Sequence, residues 1–283
     1  MTDSQQNDFN LEVVAFDILT AAKPVMAEKQ LEVHYHYSAK TPRFFQGEVK
    51  ILQQIIQALL AQSIEKTSAA NDKTSAGNIT LSIYHDIHDP QSIIIAVADT
   101  GSDKIAEGIE PSYQAAVKTL HGKLGSQRRD LGSVHWVSLK FSLADKHDSL
   151  TINSLGGHSI AFIHDNDETL KCVGEYLEQW GAKTYCSKVN SYNHIPMNKI
   201  DLLIITPSDY QTLKHKPHEI PIVLLENRQD ATTGLLNIAD SLSIEWPNLS
   251  DQLLKTILDT FGILLDPSKN NKKSIFKDHK DQL

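Results

Sequence analysis

The sequence predicts two domains, an α+β sandwich followed by a doubly wound α/β domain. Its 283 residues correspond to about two average domains. In the first half, helical patterns alternate with paired strand patterns. In the second half, short and almost continuous apolar runs alternate with amphipathic helices. A stretch rich in charge, Ser and Gly lies between them, so we place the domains at 9–144 and 158–265, with 145–157 as a linker.

Composition excludes several classes of protein. With 40% hydrophobic and 22% charged residues, the chain can bury cores. The net charge of −8 argues against a nucleic-acid partner, and the two cysteines fit a reducing compartment rather than a disulfide scaffold. No apolar run reaches the roughly 18–20 residues that span a bilayer, and the polar N-terminus is unlike a signal peptide. We therefore expect a cytoplasmic protein with no membrane span.

The first domain should begin with two helices and a strand. Apolar residues at helical spacing predict a helix over Asn10–Met26, which Pro24 should kink or stop. Alternation predicts a strand over Leu31–Ala39. The pattern of Gly47–Thr67 predicts an amphipathic helix of about five turns.

The rest of the first domain should be mainly β-structure. Two apolar runs, Asn78–Ile87 and Ser92–Asp99, flank turn residues and predict an antiparallel hairpin. A short helix from Pro111 and two further strands, ending at Leu143, complete the domain. The resulting order, α-β-α-β-β-α-β-β, is typical of an α+β sandwich.

The second domain should contain a parallel sheet. Its five apolar strands are nearly continuous, which indicates burial on both faces. Five such strands in about 105 residues fit a flavodoxin-like α/β fold. The Lys-rich tail 266–283 should be frayed.

Four phrases of the first domain occur in the order of a known family. They are the opening residues Phe9, Leu11, Ala27, Lys29 and Leu31, the helix Gly47–Thr67, the triplet Asp99-Thr100-Gly101, and the closing stretch 119–143. With these phrases, residues 9–143 resemble the catalytic ATP-binding domain of sensor histidine kinases, the GHKL or Bergerat fold.

The second domain resembles a known family mainly in the order of its strands and helices. Its strands, its first helix and the Trp246-Pro247 pair fall where a response-regulator receiver has its β1-α1-β2, β3, β4 and β5. Residues 158–265 therefore resemble a receiver domain. A kinase domain followed by a receiver is the order of hybrid sensor kinases.

The resemblance implies where ATP and Mg²⁺ would bind. The family's two helix asparagines fall on Ala58 and Gln62, and its following lysine falls on Glu65. Gln62 keeps an amide oxygen on a chain one methylene longer, although Mg²⁺ demands near-ideal geometry. We expect much weaker metal coordination than in the family.

The glycine-rich turns of the family are also reduced. Asp99, which would accept from adenine, and Gly101 are retained, but Asp103 replaces the next glycine. Only 102–111 separate this turn from the next helix, where the family has a lid and a second glycine box. Two interpretations stay open: residual nucleotide contact by Asp99, or a strand end at a turn that needs Gly101.

The positions that carry phosphoryl transfer in receiver domains are also replaced in this sequence. The phosphoacceptor position is Thr206, which cannot form an acyl phosphate, and the acidic pair is reduced to His164-Asp165 with Asp167 nearby. The β4 hydroxyl position is Glu226 and the β5 lysine position is Trp246. The alternative for Asp165 and Asp167 is that they cap the helix that begins at Glu168.

Other candidate residues have ordinary interpretations. His34 and His36 share one face of a strand and could bind a metal, but no third ligand is apparent, so we expect exposed strand histidines. Cys172 and Cys186 should lie in the core.

The leading hypothesis is a pseudokinase joined to a pseudoreceiver, a two-component or phosphorelay protein without catalytic residues or cofactors. It would bind a sensor kinase, a phosphotransfer protein or a response regulator. The first alternative is a divergent module that binds ATP and Mg²⁺ and phosphorylates a His on another chain. The second is a small-molecule sensor that uses the emptied ATP cleft. The family's dimerising hairpin, with its phosphoacceptor His, has no counterpart in this sequence; whether the chain is a fragment stays open.

Overall fold

A computed structural model describes residues 7–67, 77–101, 111–146, 153–213, 220–226 and 241–262. Most of the predicted linker, Asp103 and the tail 266–283 lie outside these residues. Two five-stranded sheets form the centres of two domains.

The first domain has three helices and two sheets. Its elements are β1 Asn7–Asn10, α1 Leu11–Glu28, β2 Glu32–Tyr37, β3 Phe44–Gly47, α2 Val49–Lys66, β4 Asn78–Asp86, β5 Asp89–Asp99, α3 Pro111–Thr119, β6 Lys123–Arg128, β7 Ser133–Lys140 and β8 Ser142–Leu143. The main sheet has the order β2-β4-β5-β7-β6, and its inner face packs against all three helices. The predicted hairpin is confirmed, since β4 and β5 are antiparallel neighbours.

Helix α1 continues through Pro24 to Glu28, so of the two predicted effects, a kink or a stop, the stop is wrong. The proline removes one backbone donor, but Thr20 and Pro24 both lie on the exposed side, where water can reach the carbonyl left without a partner. Met26, in the following turn, is completely buried and holds the end of the helix against the sheet.

A small antiparallel sheet of β1, β3 and β8 was not predicted. Its strands have only two to four residues, too short for alternation to show. Phe9, Phe45 and Phe141 pack together beneath it, with ring centroids 5.5–6.1 Å apart. This aromatic cluster fixes the start of α1 and α2 against the main sheet.

The second domain confirms the flavodoxin-like prediction. Its elements are β9 Ser159–Ile163, α4 Asp167–Gln179, β10 Lys183–Ser187, β11 Leu202–Ile205, α5 Pro207–Thr212, β12 Ile222–Glu226, β13 Ser241–Glu245 and α6 Ser250–Thr260. All strands are parallel in the order β10-β9-β11-β12-β13. Helices α4 and α6 cover one face, and α5 with two 3₁₀ turns covers the other.

The end of the predicted linker is part of this second core. Leu155 is completely buried, and its N–H donates to the carbonyl of Trp180 at 2.8 Å. Asn153–Gly157 therefore form a turn that packs on the domain rather than a tether. Cys172 is buried as predicted, whereas Cys186 lies on the edge strand β10 and is exposed.

Candidate functional site

Both oxygens of Asp99 accept hydrogen bonds from the chain itself. Oδ1 accepts from the N–H of Gly101 at 3.1 Å and Oδ2 from the hydroxyl of Ser133 at 3.0 Å. The carboxylate is 4% exposed. A Cβ on Gly101 would lie 2.8 Å from the carbonyl oxygen of Lys66, so the close approach of this turn to α2 requires glycine. This is the arrangement expected if Asp99 ends a strand at a glycine-dependent turn.

The predicted metal-binding positions lie on α2. Ala58 is half-buried and packs against the first core, Gln62 is half-buried one turn later, and Glu65 is exposed. No asparagine stands at either position. At the two positions where the resemblance implies asparagine side chains, helix α2 thus offers one amide oxygen, that of Gln62.

Sequence reasoning missed a buried polar cluster beside Asp99. The ring of His135 is 2% exposed, and its Nε2 lies 3.2 Å from the hydroxyl of Ser133. Among the described residues, Nδ1 of His135, Nζ of Lys66 and Oγ of Ser63 are buried without a hydrogen-bond partner. Burial, followed by the positive charge of Lys66, lowers the pKa of His135. In the sequence, His135 is a single histidine within an apolar strand and Lys66 is a lysine at a helix end. Neither pattern predicts a buried polar cluster.

The receiver positions share one edge of the second sheet. Thr206, Glu226 and Trp246 end three parallel strands, so the fold places them at the same carboxyl edge. Thr206 caps α5, since its Oγ1 accepts from the N–H of Asp209 at 3.1 Å. Trp246 is buried before a cis peptide bond to Pro247. Its backbone N–H donates to the backbone carbonyl of Glu226 at 2.7 Å, whereas its indole Nε1 is buried without a hydrogen-bond partner in the described structure. Of the three positions, Thr206 is the one whose side chain is engaged within the described part of the chain, as a helix cap.

The expected capping by Asp165 and Asp167 is wrong. Asn166 caps α4, because its side chain accepts from the N–H of Thr169 at 2.8 Å. Oδ1 of Asp165 accepts from the N–H of Val189 at 3.1 Å. Asp167 is the first helical residue and pairs with Lys188 at 2.8 Å. Asn is as good a cap as Asp, and the sequence alone placed the helix start one residue late.

The expectation that His34 and His36 are exposed strand histidines is wrong, because both side chains face the second domain. Nε2 of His34 lies 3.4 Å from the side-chain nitrogen of Asn166, and Nε2 of His36 lies 3.8 Å from a carboxylate oxygen of Glu175. Both are half-buried. The described residues contain no cluster of three or more His, Cys, Asp or Glu side chains arranged to hold a metal.

His164 belongs to the same contact. Its Nδ1 accepts from the N–H of Asn166 at 2.9 Å, so the tautomer carries its proton on Nε2. Burial, assisted by the neighbouring His34, lowers its pKa from 6.5 to about 4, against opposing effects of Asp165 and Glu32. The native protein therefore holds this ring neutral.

We expect the free energy of unfolding to fall as pH decreases from about 6.5 to about 4, by up to about 3 kcal/mol from this residue. The unfolded chain binds a proton on His164 in this range and the folded chain does not. Urea unfolding at several pH values gives the free energy of unfolding as a function of pH. This dependence on pH should be weaker in His164→Gln than in the wild type, whereas His88→Gln, at an exposed turn, should keep the wild-type dependence. The same dependence on pH in all three proteins would contradict the assignment.

A buried ion pair of the first domain contacts Ser250 of the second. The carboxylate of Glu12 on α1 accepts from Nε of Arg43 at 2.6 Å and from the N–H and hydroxyl of Ser250 at 2.9 and 3.0 Å. Arg43 also donates to the Ser250 hydroxyl at 2.8 Å. These three residues are 1–6% exposed. Glu12 thus places a negative charge at the N-terminus of α6, where the helix dipole favours it.

A second contact line lies along α4. The hydroxyl of Tyr176 donates to the carbonyl of Tyr37, and Ala39, from the first domain, packs in the core of the second. Lys23 on α1 pairs with Glu245 at 2.9 Å. The domains are therefore docked through buried polar and apolar groups.

Between the domains lies a polar cleft of about 380 Å³. One wall comes from the first sheet and its turns, and the other from the N-terminal turn of α4. Its lining residues are Asn78, Thr80, Ala98, Asp99, Thr100, Arg129, Leu131, Asp165, Asn166, Asp167 and Glu168.

No family model and no curated protein matches the sequence. Among solved structures, full-length ShkA in complex with AMPPNP superposes with a TM-score of 0.67 at 16% identity, over 91% of this chain and 58% of that chain. The catalytic domain of the histidine kinase ThkA gives 0.40 at 13% identity over 48% of this chain and 96% of its own. The Acinetobacter baumannii histidine kinase AdeS gives 0.39 at 16% identity, over 48% and 68%.

The chain spans little more than half of ShkA, and the likeness concerns the fold. Together, the two sheets and this superposition define the class of architecture: an α+β domain with the fold of a histidine kinase's catalytic domain, followed by a receiver-like α/β domain, as the resemblance implied. In the part of the chain that the structure describes, no helix is long and apolar enough to cross a membrane.

Proposed function

We propose that this chain acts in two-component signalling by binding other proteins, without transferring phosphoryl groups itself. The observation that carries the proposal is the occupation of Asp99: both carboxylate oxygens already accept hydrogen bonds from Gly101 and Ser133. An adenine amino group would have to compete with these buried partners. Helix α2 adds no asparagine that could hold Mg²⁺.

The second domain supports the same proposal. Thr206 stands at the acceptor position and uses its hydroxyl as a helix cap. The acidic side chains Asp165 and Asp167 are engaged with Val189 and Lys188. Phosphoryl transfer to an aspartate needs a free carboxylate and a metal ion. The acceptor position holds Thr206, which has no carboxylate, and the carboxylates of Asp165 and Asp167 are already engaged.

The partners we propose are a sensor kinase, a phosphotransfer protein or a response regulator, bound by the docked pair of domains. Because the Glu12–Arg43–Ser250 contact fixes α6 against the first domain, a partner would meet both domains in one arrangement. The alternative, a divergent kinase module that phosphorylates another chain, is favoured only by the retention of Asp99 and Gly101.

We expect Mg-ATP to bind more weakly than about 100 μM, which corresponds to about 5.5 kcal/mol. Isothermal titration of the full chain with ATP and Mg²⁺ measures this directly. A matched variant, Ala58→Asn with Gln62→Asn, restores both asparagines and should bind more tightly if the fold still forms a nucleotide cleft. Tight binding by the unaltered chain, lost on Asp99→Asn, would support the kinase alternative instead.

A further inference from the structure

The interdomain cleft presents opposite charges on its two walls. Arg129 lies on the wall of the first domain, in the turn between β6 and β7, and Glu168 lies on the wall formed by α4. Among the described residues, neither side chain forms an ion pair within 4.0 Å, with the other or with any further group. Their charges are therefore not neutralised within the described structure.

Several polar groups of the cleft also lack partners. Oε2 of Glu168 is buried without a hydrogen bond in the described structure. The hydroxyl of Thr80 is open to the cleft and has no hydrogen-bond partner among the described residues. By contrast, the other three carboxylates of the cleft have partners in the chain: Asp165 accepts from the N–H of Val189, Asp167 pairs with Lys188, and Asp99 accepts from Gly101 and Ser133. Buried polar groups are normally satisfied, so the unpartnered oxygen of Glu168 beside the cleft indicates a missing polar ligand.

We propose that this cleft binds a small zwitterion, with its carboxylate toward Arg129 and its ammonium toward Glu168. The volume of about 380 Å³ lies within the usual range of small-ligand pockets and suits a molecule of amino-acid size. A purely anionic ligand would meet three carboxylates on the α4 wall, and a purely cationic one would meet the guanidinium of Arg129. Only a ligand with both charges gains from both walls.

Binding would bridge the domains, because each charged group belongs to a different domain. The ligand would therefore stabilise the docked arrangement that the Glu12–Arg43–Ser250 contact already holds. The two charges that would hold the zwitterion, on Arg129 and Glu168, lie outside the positions that the resemblance assigns to ATP and Mg²⁺, although Asp99 also lines the cleft.

The test is isothermal titration of the full chain with ω-amino acids, from glycine to 6-aminohexanoate. This series varies the distance between the two charges. At least one member should bind with a dissociation constant below about 10 mM, and at least tenfold more tightly than the amine and the carboxylic acid of equal length. Pentylamine and pentanoate serve as these single-charge probes for 5-aminopentanoate.

Variants separate the two charges. Arg129→Gln should reduce the affinity for the zwitterion to that for the amine, and Glu168→Gln should reduce it to that for the carboxylic acid. Arg128→Gln, at an exposed neighbouring residue that does not line the cleft, should leave binding unchanged. The proposal is overturned if no member binds below about 10 mM, if single-charge probes bind equally well, or if Arg129→Gln and Arg128→Gln have the same effect.

Discussion

Replacing Arg43 by Met is expected to lower the free energy of unfolding by about 3–5 kcal/mol, because it leaves the buried Glu12 carboxylate without its counter-ion. The side chains of Arg43 and Glu12 are only 5% and 3% exposed, so water cannot replace the guanidinium. Urea unfolding measures the loss. The N–H and hydroxyl of Ser250 still donate to Glu12, and α6 would therefore keep part of its docking.

A double-mutant cycle tests whether the loss of stability comes from the unpaired carboxylate of Glu12. Glu12→Gln combined with Arg43→Met removes both charges and should recover a large part of the stability lost in the single variant. Lys140→Met is the matched control: it removes a cation from the exposed ion pair with Asp89 and should have no measurable effect. If Arg43→Met cost no more than Lys140→Met, the buried Glu12 carboxylate would not depend on Arg43 as its counter-ion.

The second large effect is expected at Gly132. It has φ +79°, and a Cβ there would lie 1.8 Å from the carbonyl oxygen of Asp99, so the β6–β7 turn would have to move. Gly132→Ala should destabilise the chain by about 3 kcal/mol or more, through left-handed backbone strain and this overlap together. Because the overlap lies at Asp99, the amide resonances of Gly101 and Ser133 should shift in the same variant.

Gly157 offers a control with the same backbone requirement. Its φ is +91°, but a Cβ there meets nothing within 4 Å. Gly157→Ala should therefore cost only the conformational penalty, about 1–2 kcal/mol. The loss in free energy of unfolding in Gly132→Ala, minus the loss in Gly157→Ala, gives the cost of the overlap with Asp99. Equal losses would mean that backbone strain alone accounts for the effect at Gly132.

Much of the fold could be predicted from periodicity. The long amphipathic helices and the nearly continuous apolar strands gave both sheets of five strands, because burial on one or both faces leaves a repeat in the sequence. The sheet of β1, β3 and β8 could not be found this way, since its strands are too short to show a repeat. Pro24 misled the prediction because local preference is overridden by the burial of Met26.

The candidate sites were only partly predictable. Motif spacing located Asp99, Thr206, Glu226 and Trp246 at strand ends, where the structure has them. It gave no indication that Ser133 and His135 stand beside Asp99, because they come from a strand more than thirty residues away. Nor could it place His34 against Asn166, since these residues belong to different domains.

The sequence by itself determined the two fold classes, their order along the chain and the replacement of polar residues at positions where the resemblance implies catalysis. Those properties depend on residue types and on spacing within single elements. Only the tertiary structure decided how the domains meet: the Glu12–Arg43–Ser250 contact, the histidine-lined face of β2 and the charged cleft between Arg129 and Glu168. Each of these joins residues distant in sequence, and their mutual positions follow from packing two sheets and their helices together, which no local pattern records.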